Sequence, residues 1–421
     1  MKLKIIGIRN NLKKNIKKLN LYCDDEHKTF NMVEYVKFYC NQDVNILAQG
    51  FDKFRLMCLD FLKLDCDETL TAPSLANKYF ENNLYFNIDN FYKYSGTVRA
   101  FIQQVVYGGR CMTRDNEKWK TSIDLYDFDA VSLYPSAMKR LYCQKGKPKL
   151  LEPHELNLNY LLEHTAAAEN EQPKDDKYIS SYVVEIIIKK VNKHLHFPLI
   201  VVKDKKTKTN KNTNEAEGYK MVIDNITLED FVKYQNVECE IIRGYKWTDD
   251  KDFQIQELIQ KLHEFRCEFK KTKNPTQEVV KLIMNSAYGK MIQKPIKDKF
   301  VYLKYKTVDK RGNEKYPLNN YMIKNSAKIT EINQINDNLY QVKITKPIYE
   351  FNTNTLLGVQ VLSMSKRIMN EVMTTAEDLD IKIFYQGTNS MHIEKSRLKD
   401  LEMEFKKRYN RDLVGKYLGQ F

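Results

Sequence analysis

One ten-residue string constrains this chain more than any other feature: residues Asp127–Ser136, which read DFDAVSLYPS. Apolar residues alternate at Ile123 and Leu125, so the string begins as a β-strand, and Leu133–Ser136 then turns the chain towards a helix. A carboxylate at the end of a buried strand, followed by a turn with free backbone N–H groups, can hold a divalent metal and a triphosphate together. A strand, a turn and an exposed acid would be the better interpretation of D-x-x-S alone, but not of the full string.

A second string, Lys281–Lys290 (KLIMNSAYGK), predicts a helix with two different faces. At about 100° per residue, Lys281, Asn285 and Tyr288 fall within about 60° of one another, so one face presents an ammonium group, an amide and an aromatic ring. That face suits a phosphate and a base pair, although an amphipathic helix with a solvated polar face has the same pattern. Apolar residues define the packing face: Val280, Ile283, Met284 and Ala287.

A third string, Tyr385–Ser390 (YQGTNS), lies between two short apolar runs, Ile381–Tyr385 and Met391–Ile393. This arrangement predicts a strand, a turn and a returning strand. Further along the chain, Ser181–Val191 and Val237–Ile242 read as strands. Long helices are predicted in four other places: Met32–Leu62 (packed), Phe253–Lys271, Leu356–Leu379 and Leu398–Tyr409. A helix opening at Thr227 is expected to be capped by that residue, with Asp230 three positions on.

Composition fits a globular chain with a sizeable core. The 421 residues are 42% hydrophobic and 29% charged, enough for two or three domains of about 100–200 residues each. The net charge of +14 suits a phosphate-backbone partner, but an AT-rich coding sequence would also produce this abundance of Lys and Asn. Charge alone leaves both interpretations open.

Cellular location is constrained by what the sequence lacks. No run approaches the roughly 18 apolar residues of a membrane-spanning helix, so we expect no membrane partner. The eight cysteines include no C-x-x-C pair, and Met1–Leu19 lacks the features of a secretory signal. We therefore expect an intracellular protein, in the host cytoplasm or nucleus if it belongs to a virus- or plasmid-like element.

The three strings together resemble the motifs of family-B DNA polymerases. Asp127–Ser136 contains the D-x-x-S-L-Y-P-S motif, with Asp129 as its acid, and Lys281–Lys290 is similar to the K-x-x-x-N-S-x-Y-G-K fingers helix. Tyr385–Ser390 resembles the Y-x-D-T-D-S hairpin, except that both Asp positions are changed. All three motifs stand in the family's order, which overrides the simpler interpretation of each.

This resemblance implies a role for each matching residue. Asp129 would be the surviving metal ligand, helped by the carbonyl of Ala130, and Lys281 would contact the incoming triphosphate, so both count as catalytic. Tyr134 would lie under the deoxyribose and exclude a 2′-hydroxyl. The remaining nucleotide contacts would be Ser132, Leu133, Asn285 and Tyr288. Arg266 and Lys270, one helical turn apart, are further phosphate contacts or, equally well, part of a solvated helix face.

The changed residues of the third motif, Gly387 and Asn389, predict weakened chemistry. Nucleotidyl transfer by two metals about 3.5–4 Å apart needs carboxylates from two strands. Asn389 offers only a neutral oxygen as a weak metal ligand, and Gly387 offers no side chain. Asp127 and Glu394 are candidate substitutes. We expect Mg²⁺ or Mn²⁺ binding to be weak or absent, and polymerase activity to be severely reduced or absent.

Two further strings resemble elements of the same family. Tyr39 and Asp43 match the Y-x-x-x-D element of the proofreading exonuclease, where the Asp binds metal, and we interpret them as an exonuclease remnant. Tyr107, Gly108 and Gly109 resemble the Y-x-G-G/A link, in which paired glycines let template DNA approach the backbone. A plain glycine turn remains the alternative for that string.

The family resemblance implies an α/β (α+β) fold: a right-hand palm, helical fingers and two mixed insertions, with the exonuclease domain and thumb largely missing. The expected regions are an exonuclease-adjoining helical remnant (1–95), the first part of the palm (96–140), an insertion like those that bind terminal protein (141–250), the fingers (251–293), a second insertion (294–350) and the rest of the palm (351–421). Such insertions are typical of the protein-primed subgroup used by phages, linear plasmids and mobile elements.

Two functions remain open. The first is a DNA-directed DNA polymerase of the protein-primed type, with primer–template DNA, dNTPs and a terminal protein primer as partners. The second is a catalytically inactive protein that binds DNA or a nucleotide, or a decayed remnant.

Overall fold

The computed structural model describes residues 23–24, 29–165, 178–204, 209–295, 298–345 and 352–421. The chain divides into two units, Met1–Leu70 and Thr71–Phe421. Within the described ranges, no helix is both long enough and apolar enough to cross a membrane.

The first unit consists mainly of one long helix. A two-stranded ladder, β1 (Cys23–Asp24) with β2 (Thr29–Phe30), precedes helix α1 (Met32–Met57), whose first turn is capped by the side chain of Asn31. Cys58–Leu62 continues it as a π-helical turn. The prediction of a helix is confirmed, but the expectation that it is packed is wrong, since no residue of α1 is buried. Within the predicted range Met32–Leu62, the buried residues are Cys58 and Leu62, which follow α1.

The second unit combines helices and strands. Its helices are α2 (Ala72–Asn83), α3 (Gly96–Ile102), α4 (Leu133–Lys139), α5 (Leu158–His164), α6 (Asn225–Gln235), α7 (Gln254–Lys271), α8 (Thr276–Met291), α9 (Pro317–Asn325), α10 (Thr355–Asp378) and α11 (Leu398–Tyr409). Its longer strands are β3 (Cys111–Thr113), β4 (Leu125–Asp129), β7 (Ser181–Val191), β10 (Lys220–Asp224), β11 (Val237–Trp247), β13 (Asp298–Lys304), β16 (Ile329–Asn336), β17 (Leu339–Thr345), β18 (Ile383–Gly387) and β19 (Ser390–Glu394). Its short strands are β5 (Cys143–Gln144), β6 (Lys149–Leu150), β8 (Val201–Lys203), β9 (Asn210–Asn212), β12 (Lys251–Asp252), β14 (Thr307–Val308) and β15 (Glu314–Lys315). This mixture confirms the expected α/β (α+β) class.

A four-stranded antiparallel sheet, in the order β3-β18-β19-β4, joins the first and third sequence strings. Strands β18 and β19 form the predicted hairpin, with a two-residue turn at Thr388 and Asn389. Ser390 pairs with Asp129 in the neighbouring ladder. Because strand pairing fixes which side chains meet, this register determines the geometry of the candidate site.

A second four-stranded sheet, in the order β10-β7-β11-β6, lies within residues 141–250, the predicted first insertion. Strand β7 has the predicted bounds, whereas β11 runs five residues beyond the predicted Ile242. Helix α6 is capped by Asp224, whose carboxylate accepts from the backbone N–H of Thr227. The predicted cap at Thr227 is therefore wrong, because an earlier acid already satisfies that donor. Asp230 instead accepts a hydrogen bond from Arg367.

Helix α10 is the central helix of the second unit. Nearly all its residues are buried, and it packs against α4, α6 and α8. Helix α8 lies between α7 and α2 and buries the four apolar residues predicted for its packing face. These contacts bring the second sequence string close to the first.

Residues 294–350, the predicted second insertion, contain a small module with its own core. Apolar residues alternate at Val301, Leu303 and Tyr305 and again at Tyr340, Val342 and Ile344, which predicts antiparallel strands in this Lys-rich region. Strands β13, β17 and β16 do form an antiparallel sheet. Helix α9, which the alternation did not predict, begins at Pro317 and supplies Leu318 to a small core with Val342 and Ile344. Proline at a first helical position is a start signal that strand periodicity obscured here.

Substitution of Trp247 tests the core cluster in which residues of the predicted first insertion pack against Tyr94 and Leu356. Its side chain is fully buried and meets the Tyr94 ring edge-on, with centroids 5.8 Å apart. We expect Trp247→Ala to lower the free energy of unfolding by about 3–5 kcal/mol, measured by urea denaturation. The matched control, Leu150→Ala, alters a side chain that is 66% exposed and should change it by less than about 0.5 kcal/mol. Equal losses in the two variants would contradict this assignment of the core.

Candidate active site

Asp129 lies at the end of β4, directly beside the hairpin turn. The backbone N–H of Ala130 donates to the carbonyl of Asn389 at 2.8 Å. The Asn389 side-chain amide donates to the Asp129 carboxylate, with 2.6 Å between Nδ2 and Oδ1. The first and third sequence strings therefore meet through a direct side-chain contact.

The electrostatics around Asp129 reflect this contact. Partial burial raises the pKa of Asp129, the neighbouring Asp127 charge raises it further, and the hydrogen bond from Asn389 lowers it. The amide thus stabilises the ionised carboxylate. A second carboxylate in its place would repel Asp129 and would need a cation between them.

The two changed positions are not equivalent. Gly387 pairs with Ser390, which in turn pairs with Asp129, so Gly387 lies two strands away, at about 10 Å. Asn389 touches Asp129 directly. An added Cβ at Gly387 would approach the Tyr385 ring at 3.0 Å, which a ring 36% exposed can accommodate by a small shift. Position 389 is therefore the one that decides the charge beside Asp129.

The structure separates the two candidate substitute acids. Asp127 is two residues from Asp129 on the same strand, with a side chain 76% exposed and His392 Nε2 at 3.9 Å. Glu394 pairs with Leu125 at the other end of β19, about 13 Å along the strand from Ser390. Of the two, Asp127 lies near the candidate site and Glu394 does not.

The turn after β4 contains Ser132 and Leu133, which are predicted to contact the nucleotide. Ser132 adopts a left-handed conformation, with φ of 50°, at the start of α4. Ser136 donates its hydroxyl to the carbonyls of Val131 and Ser132, at 2.8 and 2.9 Å, which fixes the turn. The N–H of Val131 is already used, because it donates to the carbonyl of Gln420 at 2.8 Å.

The chain near Phe421 also contacts this turn, which sequence reasoning did not predict. The Phe421 ring stacks on Phe128 with centroids 5.0 Å apart, and the N–H of Gly419 donates to Ser136 Oγ at 2.8 Å. No sequence signal indicated what this stretch would touch.

The second sequence string faces the first across the site. The rings of Tyr134 and Tyr288 stack with centroids 4.0 Å apart and an angle of 23° between their planes. Burial and the contact with Tyr134 raise the pKa of Tyr288. Lys281 is exposed on the same helix, and Asn285 is half-buried. Through Tyr288, helix α8 contacts Tyr134 on α4.

A cation from helix α7 completes this side. Arg266 donates from Nη1 to Ser132 Oγ at 3.0 Å, which places it at the turn after β4. Its Nε is buried with no hydrogen-bond partner among the described residues. Lys270, one turn further on, is exposed. The geometry therefore brings Arg266 to the site and leaves Lys270 on the solvated face.

The paired glycines lie against the hairpin turn. An added Cβ at Gly109 would come within 2.6 Å of Thr388 Cγ2, so any other residue there would have to displace the Thr388 side chain. An added Cβ at Gly108 would meet nothing within 4 Å. Tyr107 is partly buried, with the Lys366 ammonium 5.8 Å from its ring centroid. Gly109 therefore has a packing reason that does not depend on DNA.

The exonuclease-like residues belong to the first unit. Tyr39 and Asp43 lie one turn apart on α1, and both are exposed. In the same unit, Asp65, Cys66 and Asp67 bring three potential metal ligands close together, and Arg55 pairs with both acids. No comparable set of ligands forms around Asp129 within the described part of the chain.

The residues around Asp129 do not fit a pair of divalent ions. The donor set is the carboxylate of Asp129, which already accepts from Asn389, the exposed carboxylate of Asp127 and neutral oxygens of Ala130 and Asn389. Mg²⁺ at a two-metal centre requires carboxylates that bridge or flank both ions. Because the Asn389 amide already holds Asp129, the arrangement has no need of a cation.

Comparisons with known proteins agree with the geometry. Residues 2–379 match the family model described as DNA polymerase type B, organellar and viral. A DNA polymerase of Kluyveromyces lactis is 23% identical over 398 residues, covering 90% of this chain and 34% of the relative. The chain therefore spans about a third of that relative.

Solved structures show the same fold. Phi29 DNA polymerase in an orthorhombic crystal form has a TM-score of 0.54 at 20% identity, covering 86% of this chain and 54% of that one. Phi29 DNA polymerase complexed with primer-template DNA and incoming nucleotide substrates has a TM-score of 0.57 at 18% identity, covering 94% and 58%. The fold and the arrangement of the three strings define a DNA-polymerase palm with its fingers. Since the family model covers most of its length, this chain belongs to the type B DNA polymerases of the organellar and viral family, and the family-B resemblance is confirmed.

Replacing the neutral amide by a carboxylate should create a metal requirement. We expect Asn389→Asp to lower the melting temperature in EDTA, because a hydrogen bond to a charged group, worth about 1.5–3 kcal/mol, becomes a repulsion. Mn²⁺ should then raise it, by the equivalent of about 2.7 kcal/mol at a concentration 100 times the Kd. Thermal unfolding with and without Mn²⁺ measures both effects.

Gly387→Asp is the matched control, since its carboxylate would lie two strands from Asp129. It should show a smaller response to Mn²⁺. An Asn389→Asp variant whose melting temperature ignores Mn²⁺ would contradict the assignment of position 389 as the site of the missing charge.

Proposed function

We propose that this chain is the palm-and-fingers part of a protein-primed family-B DNA polymerase that binds primer–template DNA and dNTPs but has severely reduced nucleotidyl transfer. The observation that carries the proposal is the hydrogen bond from Asn389 to Asp129. In this contact the neutral amide of Asn389 takes up the carboxylate of Asp129 that would otherwise bind metal. The family membership supports the reaction class, and this contact supports its loss.

The proposed binding step uses two pairs of residues that are already in contact, Arg266 with Ser132 and Tyr134 with Tyr288, together with the exposed Lys281. Lys281 and Arg266 would hold the triphosphate electrostatically, from α8 and α7, against the turn at Ser132 and the Leu133 amide. Tyr134 and Tyr288, already stacked, would frame the sugar and the base pair. These contacts need charge and shape rather than a second carboxylate, so nucleotide binding can persist where transfer does not.

Protein priming is proposed from the fold. The likeness to Phi29 DNA polymerase extends over the region of the first insertion, which has its own core on strands β7, β10 and β11. We propose that this insertion, residues 141–250, holds a terminal protein, and that the module at 294–350 contacts DNA. The net charge of +14 is in keeping with a nucleic-acid partner.

A second candidate function is a polymerase-like protein that binds DNA or nucleotide and has no catalytic role. The same contact between Asn389 and Asp129 favours it. The two functions differ in whether any extension survives, and one assay separates them.

Primer extension tests the proposal directly. We expect the unaltered chain to show little or no extension with Mg²⁺, while a Gly387→Asp/Asn389→Asp double variant extends a primer on a template. Single variants should rank Asn389→Asp well above Gly387→Asp, because only position 389 contacts Asp129. Robust Mg²⁺-dependent extension by the unaltered chain would overturn the proposal of reduced activity. Failure of every variant to extend would favour the binding-only function.

Nucleotide binding is tested without catalysis. We expect Lys281→Ala to weaken dNTP affinity by about 10- to 100-fold, since a charge-assisted contact is worth about 1.5–3 kcal/mol. Lys261→Ala, an exposed lysine on α7, serves as the control and should leave the affinity unchanged. Equilibrium titration of a fluorescent dNTP measures both. Equal affinities in the two variants would show that binding depends on general charge alone.

A further inference from the structure

Arg110 follows the paired glycines and is almost fully buried, with 8% of its surface exposed. All five of its N–H groups have an acceptor nearby. These acceptors come from three separate parts of the chain: Gln386 Oε1, the carbonyls of Phe197 and Pro198, Asn370 Oδ1 and Met373 Sδ. Burial lowers the pKa of this guanidinium to about 10, so it remains charged at neutral pH.

Arg110 holds the hairpin turn in two ways. Its Nε donates to Gln386, the residue before Gly387 on β18. Its own carbonyl accepts from the N–H of Thr388 at 2.8 Å. Thr388 has a φ of 51°, a conformation that a β-branched residue adopts only when its surroundings enforce it. The turn that carries Asn389 is thus fixed by the side chain and the backbone of one residue.

The other end of the guanidinium binds the first insertion. Nη1 donates to the carbonyls of Phe197 and Pro198 at 2.7 and 3.1 Å. The N–H groups of His196 and Phe197 donate to the Glu377 carboxylate, both at 3.1 Å. Both kinds of backbone group in this short segment are therefore bound, the N–H groups by Glu377 of α10 and the carbonyls by Arg110.

The third arm connects to the central helix. Nη2 donates to Asn370 Oδ1 at 3.0 Å, and Asn370 donates in turn to Asp230 at 3.0 Å. Asp230 also accepts from Arg367 Nε at 2.7 Å. A buried cation with this many fixed acceptors has one geometry, because losing any acceptor leaves a donor unpaired.

We propose that Arg110 is a positioning residue for the candidate active site, setting the turn at Gly387–Asn389 against Asp129 and tying that turn to the first insertion. The expected effect of Arg110 on catalysis rests on the proposed function. Its positioning of the turn does not. Lysine cannot replace it, because a single ammonium group cannot reach acceptors on both sides as a planar guanidinium does.

Hydrogen exchange tests the structural part in the otherwise unaltered chain. In Arg110→Lys, we expect amides of the turn, Thr388 and Ala130 among them, to exchange about tenfold faster. Amides of the β13–β17 sheet should be unchanged. The control is Arg243→Lys, an arginine with a side chain 65% exposed that pairs with Glu185, and it should leave the turn unaffected. Uniformly faster exchange along the chain, or none at the turn, would overturn the proposal.

If Arg110→Lys folds poorly, Gln386→Met keeps the arginine and removes only its acceptor on the hairpin. The same local acceleration, confined to the turn, is expected. No acceleration at the turn in Gln386→Met would overturn the proposal.

Kinetics test the catalytic part in the Gly387→Asp/Asn389→Asp background. Adding Arg110→Lys should lower kcat about tenfold and change the KM for dNTP by less than about twofold, since the turn moves while the triphosphate contacts remain. If Arg110→Lys lowers kcat but leaves the hydrogen exchange of the turn amides unchanged, the positioning role is also contradicted. A background that never extends a primer would overturn the proposed polymerase function, and the exchange experiment would still decide the role of Arg110.

Discussion

The register between β4 and β19 is the constraint on which the candidate site depends. Side chains alternate along a strand, so a slip of one residue would turn Asp129 to the other face of the sheet and away from the turn. The pairing of Ser390 with Asp129 prevents this, and Arg110 and Gly109 hold the turn from the opposite edge. The helices then place Tyr288 and Arg266 around a strand end that is already fixed.

Within that fixed frame, the side chain at position 389, an amide in place of a carboxylate, decides whether Asp129 needs a cation. A carboxylate there would share the site with Asp129, and like charges at hydrogen-bond distance require a cation or a shared proton. An amide removes the repulsion and supplies a donor, so the apo site becomes self-sufficient. Because asparagine and aspartate have nearly the same shape, the strand pairing around Asp129 can stay as it is while the chemistry of the centre changes.

Local patterns predicted the parts of this structure that depend on neighbouring residues. The bounds of β7 and α11, the hairpin and the packing face of α8 all follow from periodicity over a few turns or strands. Expectations failed where distant residues decide. The exposure of α1 depends on what surrounds it. The cap of α6 is a different case, because Asp224, the better acceptor, lies only three positions before Thr227. Arg110 could not have been found from its sequence, since Gln386 lies 276 positions away.

The difference between local and distant contacts also explains why so many buried polar contacts hold the turn that carries Asn389. Asp129 and Asn389 belong to segments 260 positions apart, and bringing such segments together costs chain entropy that local contacts cannot recover. Buried polar contacts of fixed geometry, such as those of Arg110 and Asn370, favour one relative placement over nearby alternatives. The Phe197–Pro198 segment takes part in that placement, so the insertion contributes to the order of the turn. A site assembled in this way depends on its supporting contacts as much as on the groups that face the substrate.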